Sequence, residues 1–146
     1  MDRADKLIDI VLVEDNEDHL ELIRQSLEDK RIANNILHFD NAEEAYSYLT
    51  KKEPYENGRT PGLVLLDVNL PGMSGHDLLK KLKEDDDLKS IPVVMLTTSS
   101  GEADRSLAYQ HHVNSYLVKP IDFDKFEKMV GDLGLYWALW NKREYD

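Results

Sequence analysis

No cysteine occurs in the 146 residues, which excludes disulfides, thiolate metal sites and thiol nucleophiles. No apolar run approaches the roughly 18 residues that a membrane-spanning helix needs. The opening Met1–Lys6 stretch has no apolar segment resembling a signal peptide. Positive charge is scarce as well, with 18 Lys and Arg against 29 Asp and Glu, a formal charge of −11. Such a field repels a nucleic acid rather than binding it. The expectation is a cytoplasmic protein that engages neither membrane nor nucleic acid. At 41% hydrophobic and 32% charged residues, the chain suits one globular domain with a real core.

What is present is an alternation of short apolar runs and amphipathic segments. Leu7–Val13 reads as a strand that stops at Glu14-Asp15-Asn16. Leu20, Ile23 and Leu27 then fall at helical spacing within Asp18–Asp29, with Asn16 or Glu17 at its start and Asn the better cap. Ile36–Phe39 is a second strand. Asn41 caps a helix through Ala42, Ala45, Tyr46 and Leu49, and Glu44 resembles the acidic half of a capping box. A polar loop with prolines and glycines runs from Lys51 to Gly62.

Leu63-Val64-Leu65-Leu66-Asp67 has no polar alternation, the mark of a strand buried on both faces. The chain turns straight afterwards at Pro71-Gly72. Helices follow over Gly75–Glu84 and Glu102–His111, with strands over Ile91–Leu96 and Ser115–Val118. The acidic run Glu84–Asp87 is a solvated turn rather than a metal site. A last helix, about residues 123–142, carries Phe126, Met129, Val130, Leu133, Trp137 and Trp140 on one stripe. Five strands alternating with five helices predict a doubly wound α/β fold, a parallel sheet with helices on both faces.

In such a sheet the polar strand ends share one edge, where open α/β proteins place their chemistry. They are Glu14-Asp15, Asp67, Thr97 and Lys119. An isolated Asp at a strand end is often only a turn cap, but crowded carboxylates are costly unless a cation joins them. Oxygen-only ligands suit Mg²⁺. A hydroxyl and an ammonium opposite are what a transferred phosphoryl group requires, and a carboxylate can itself be the nucleophile.

These residues, with the run Asp67-Val68-Asn69-Leu70-Pro71-Gly72-Met73-Ser74-Gly75, resemble the receiver domain of two-component response regulators over about residues 7–130. The resemblance implies a flavodoxin-like (βα)₅ fold with strand order 2-1-3-4-5, an order for which receivers are a standard example. It implies a phosphoacceptor at Asp67, assisted by Thr97 and Lys119, that is not an enzyme in the ordinary sense. Mg²⁺ is expected on Asp15, Asp67 and the Asn69 backbone carbonyl, with Glu14 acting through a water. Tyr116 is expected as a switch aromatic partnered with Thr97, Asn69 and Ser99 as residues that tune the lifetime of the phosphoryl group, and Lys119-Pro120 as a cis peptide.

No effector domain is expected in 1–146, so the resemblance is to a stand-alone regulator that signals by binding. The 51–62 loop with Tyr55-Glu56-Asn57 and the segment His112–Leu117 resemble the small regulators paired with phytochrome-type histidine kinases. A sensor histidine kinase is the expected donor, the downstream target being unspecified. Phe126, Trp137 and Trp140 are expected at a homodimer or partner interface, since aromatics are favoured anchors. Two other readings stay open. A phosphatase of the haloacid dehalogenase type needs a second acid where Asn69 stands, and Asn cannot transfer a proton. A degenerate receiver would bind partners without phosphorylation, against which the intact acidic, hydroxyl and lysine positions argue.

Overall fold

The computed structural model describes residues 8–31, 33–97, 106–107, 109–113, 115–119 and 121–128. In chain order these give β1 (Ile8–Val13), α1 (Glu17–Asp29), β2 (Ala33–Phe39), α2 (Ala42–Leu49), β3 (Leu63–Asp67), α3 (Gly75–Glu84), β4 (Val93–Thr97) and β5 (Ser115–Val118). The strands form one five-stranded sheet in the order β2-β1-β3-β4-β5, every pairing parallel. This is the doubly wound α/β architecture that the alternation predicts. The expected helix over Glu102–His111 is described only at 106–107 and 109–111, helical as far as 110 and a turn at His111, and residues 123–128 are helical as well. The remainder of both lies outside the described residues.

The two faces of the sheet sort the strand residues by parity. Val11, Val13, Val64, Leu66, Val93 and Met95 pack with Ala42, Ala45 and Leu49 of α2 and Leu78, Leu79 and Leu82 of α3. Ile10, Leu12, Leu63, Leu65, Val94 and Leu96 pack with Leu20, Ile23 and Leu27 of α1 and with Phe126. A parallel strand covered on both sides therefore needs apolar residues at every position, which is why β3 and β4 are buried throughout.

Helix starts are fixed by side-chain caps. Asn16 Oδ1 accepts the His19 N–H at 3.0 Å, and Asn41 Oδ1 accepts the Glu44 N–H at 2.8 Å. The reciprocal capping box belongs to α3, where the Ser74 hydroxyl oxygen accepts from Asp77 N and Asp77 accepts from Ser74 N. Replacing Ser74 by Ala is expected to lower stability by about 1 kcal/mol, read as an earlier urea midpoint at unchanged slope.

Two boundaries differ from the sequence reading. β2 begins at Ala33, three residues early, because its edge position needs no apolar residue at each step. β4 begins after Pro92, which has no N–H to give the ladder, although its carbonyl still accepts Val64 N at 3.0 Å. Residues 51–62 are held by rings rather than by regular structure. Tyr55 meets Phe39 and Tyr48 edge-on, and the Tyr48 hydroxyl donates to the Arg59 carbonyl and accepts the Arg59 N–H. The Glu53-Pro54 peptide in this loop is cis.

Candidate functional site

The ends of β1, β3, β4 and β5 meet at one edge because the sheet hydrogen bonding runs past each strand. Glu14 N donates to the Phe39 carbonyl at 3.0 Å, Val68 N to the Leu96 carbonyl at 2.9 Å, and Lys119 N to the Thr97 carbonyl at 2.6 Å. Residues far apart in the chain are thereby fixed before any side chain is considered.

Glu14 is wholly buried. Its Oε2 accepts from Lys119 Nζ at 2.7 Å and its Oε1 from Asn16 N at 3.2 Å. Lys119 is itself 9% exposed, and its ammonium also reaches Asp67 Oδ2 at 3.4 Å. Each ion is thus buried only because the other is beside it. Asp67 closes β3 with its side chain 8% exposed, and Oδ1 accepts the Asn69 N–H at 3.0 Å. Burial pushes its carboxyl up to about 6, with the neighbouring Glu14 adding to the rise, while the Asn69 N–H and the Lys119 ammonium pull the other way.

Asp15, the exposed member, completes a trio. Glu14, Asp15 and Asp67 each offer a carboxylate oxygen, and these oxygens lie within 4.8 Å of one another. An all-oxygen, anionic donor set with one solvent-facing member fits a hard divalent cation. Thr97 is fully buried at the end of β4, and Asn69 is exposed beside Asp67.

The loop after β3 is held tightly. Gly72 has φ +74, and a Cβ there would lie 2.8 Å from Glu43 Oε1. That same oxygen accepts the Met73 N–H, tying the first turn of α2 to the loop. Gly75 approaches even more closely, since a Cβ there would sit 2.3 Å from the Asp67 carbonyl oxygen.

Tyr116 is buried in the cluster that α2 and α3 cover, opposite Met95 in register and two positions before Val118, the partner of Thr97. Phe126 requires a correction. It is 1% exposed, packed among Ile10, Leu12, Leu20 and Phe123, so it belongs to its own core and not to an interface. The stripe reading counted it outward because helical spacing alone does not say which surface a stripe covers. Ser99, Trp137 and Trp140, and the Lys119-Pro120 peptide, lie outside the described residues.

Two histidines absent from the sequence reading stand at the site. His38 Nε2 donates to the Glu14 carbonyl at 2.7 Å, and His19 Nδ1 lies 2.9 Å from Lys119 Nζ. His19 could have been found from its position, third in a helix whose first turn follows the acidic pair. His38 gave no such signal, because only the β1–β2 register brings it across from Leu12.

The family model for the response regulator receiver domain matches residues 10–131. The probable methanogenesis regulatory protein FilR2 of Methanothrix harundinacea is 40% identical over 91% of this chain and 85% of its own length. The response regulator Rcp1 of Synechocystis, solved in an Mn²⁺-bound form, superposes with a TM-score of 0.75 at 37% identity over 91% of this chain and 94% of that one. The phosphorylated cyanobacterial phytochrome response regulator RcpA does so with a TM-score of 0.77 at 35% identity, covering 89% and 93%. With its five-stranded order, its acidic trio and its strand-end lysine, this chain belongs to the response regulator receiver domains of phosphorylation-based two-component signalling.

Proposed function

We infer that Asp67 is the phosphoacceptor, taking its phosphoryl group from a phosphohistidine of a sensor histidine kinase. The observation that carries this reading is the position of Asp67, buried at a strand end with one carboxylate oxygen on an N–H and the other facing Lys119. A carboxylate oxygen attacks phosphorus, the P–N bond to the donor imidazole breaks, and the imidazole leaves with the electron pair and is protonated. Lys119 supplies positive charge to the phosphoryl oxygens, and the Thr97 hydroxyl is the donor at the end of the next strand. Asp15, Asp67, the Asn69 carbonyl and, through a water, Glu14 would hold Mg²⁺. The bound ion neutralises the charge that builds on the phosphoryl oxygens.

Thr97 and Tyr116 form the switch in this reading. Parity along β4 and β5 puts them on the same face of the sheet, so a shift of Thr97 towards the phosphoryl group vacates space beside Tyr116. Asn69 and Ser99 bear on hydrolysis of the acyl phosphate. Similarity to Rcp1 and RcpA supports a phytochrome-type donor kinase, and Trp137 and Trp140 are the residues offered for a homodimer.

The test is intact mass after incubation with Mg²⁺ and acetyl phosphate. The parent is expected to gain one phosphoryl group and Asp67→Asn none. Equal labelling of both proteins would place the acceptor elsewhere.

A further inference from the structure

Lys119 has three hydrogen-bond donors and three acceptors around it. They are Glu14 Oε2 at 2.7 Å, His19 Nδ1 at 2.9 Å and Asp67 Oδ2 at 3.4 Å. An ammonium cannot accept, so at 2.9 Å the imidazole must be the acceptor, with its proton on Nε2. The backbone fixes this arrangement. His19 is the third residue of α1, its N–H held by Asn16 Oδ1, and its side chain is 39% exposed beside the buried lysine.

The three acceptors are not equal. Glu14 is a buried anion at short range and cannot be left without its cation. Asp67 is the atom set that the phosphoryl group joins. The imidazole is neutral and partly solvated, and its bond to the ammonium is the one that water replaces at least cost.

We propose that His19 holds the Lys119 ammonium in the unphosphorylated protein and releases it to the phosphoryl group. It acts as a positioning residue that biases the site towards its unmodified state. The inference rests on Asp67 being the phosphoacceptor. Its thermodynamic content is a difference between two states, since the His19–Lys119 bond is present before phosphorylation and given up after it. Removing the imidazole destabilises only the first state, and the equilibrium moves to the second.

Beryllofluoride with Mg²⁺ is the probe, titrated calorimetrically into the full chain. His19→Ala is expected to bind it about fivefold more tightly than the parent, the scale of one hydrogen bond that water partly replaces. His19→Gln, whose amide oxygen can accept in the same place, is expected to stay near the parental affinity. In ¹⁵N spectra of the parent, the His19 Nδ1 resonance is expected to move when beryllofluoride is added, marking departure of the ammonium.

Unchanged or weaker binding by His19→Ala, or an Nδ1 resonance that does not move, would overturn the proposal while leaving Asp67 as the acceptor. A parent that binds no beryllofluoride would overturn the phosphoacceptor reading and this inference together. Should His19→Ala fail to fold, the Gln variant and the parental ¹⁵N spectrum still decide.

Discussion

In metal-free buffer at pH 7, Asp67→Asn melts above the parent, and the gap closes as the pH falls towards 4. The sign follows from the raised carboxyl. Asp67 titrates at about 6 in the folded protein against 3.8 as the ordinary value. The folded state therefore binds this proton more readily than the unfolded chain, and ionising Asp67 costs stability. The cost is fully present above about 6, shrinks as the pH falls through the folded value, and is gone below 3.8. A shift of this size, from 3.8 to about 6, corresponds to about 3 kcal/mol at neutral pH, or roughly 10 °C for a chain of this length.

Asparagine keeps the shape and an oxygen for the Asn69 N–H but removes the charge. Adding Mg²⁺ is expected to reverse the ordering, because with Asp67 as a proposed ligand the parent would gain stability by mass action and the variant would lack that carboxylate. Thermal melts across pH 4–8 with and without Mg²⁺ measure all of this. A parent that is the more stable of the two without metal, or a gap that widens into acid, would show that the trio is not under electrostatic strain.

Gly75→Ala is expected to have the second large effect. The added methyl would lie 2.3 Å from the Asp67 carbonyl oxygen and 2.9 Å from the Val68 Cα. Both are backbone atoms, so no side chain can turn aside, and either α3 or the end of β3 must move. Overpacking of this kind costs about 2–3 kcal/mol. The displacement falls on Asp67, the proposed phosphoacceptor, so labelling by acetyl phosphate should slow more than the loss of stability explains. A Gly75→Ala protein with parental urea midpoint and parental labelling rate would contradict the close approach. The contrast with Ser74→Ala is informative, since that variant loses a cap on the same turn without pushing on Asp67.

The sheet and most of the site were legible because both are written in local patterns. Asp67 announces itself by ending an apolar run, and Glu14, Thr97 and Lys119 do the same at the ends of β1, β4 and β5. The order of the strands was not legible from pattern and came through the family resemblance. His38 was hidden because its role is a hydrogen bond to a backbone carbonyl across a strand pair, which leaves no trace in periodicity. Phe126 was misplaced because a stripe of apolar residues fixes a face of a helix without saying what lies against it. The true capping box was overlooked for a simpler reason. Asp77 is shorter than the Glu that the motif usually carries, yet at the start of α3 it still reaches the Ser74 N–H.

The ion pair between Glu14 and Lys119 joins residues 105 apart, and the contact between Lys119 and Asp67 joins residues 52 apart. On the ribosome the chain emerges amino end first. All three acidic groups are therefore made before the lysine that neutralises two of them. A nascent chain ending short of β5 that drew β1 and β3 together would bring Glu14 beside Asp67 with no cation between them. Charge repulsion thus penalises early closure of the central strands, and the last strand to be synthesised relieves it. The lysine proposed to serve the phosphoryl group thus also relieves a penalty on completing the sheet.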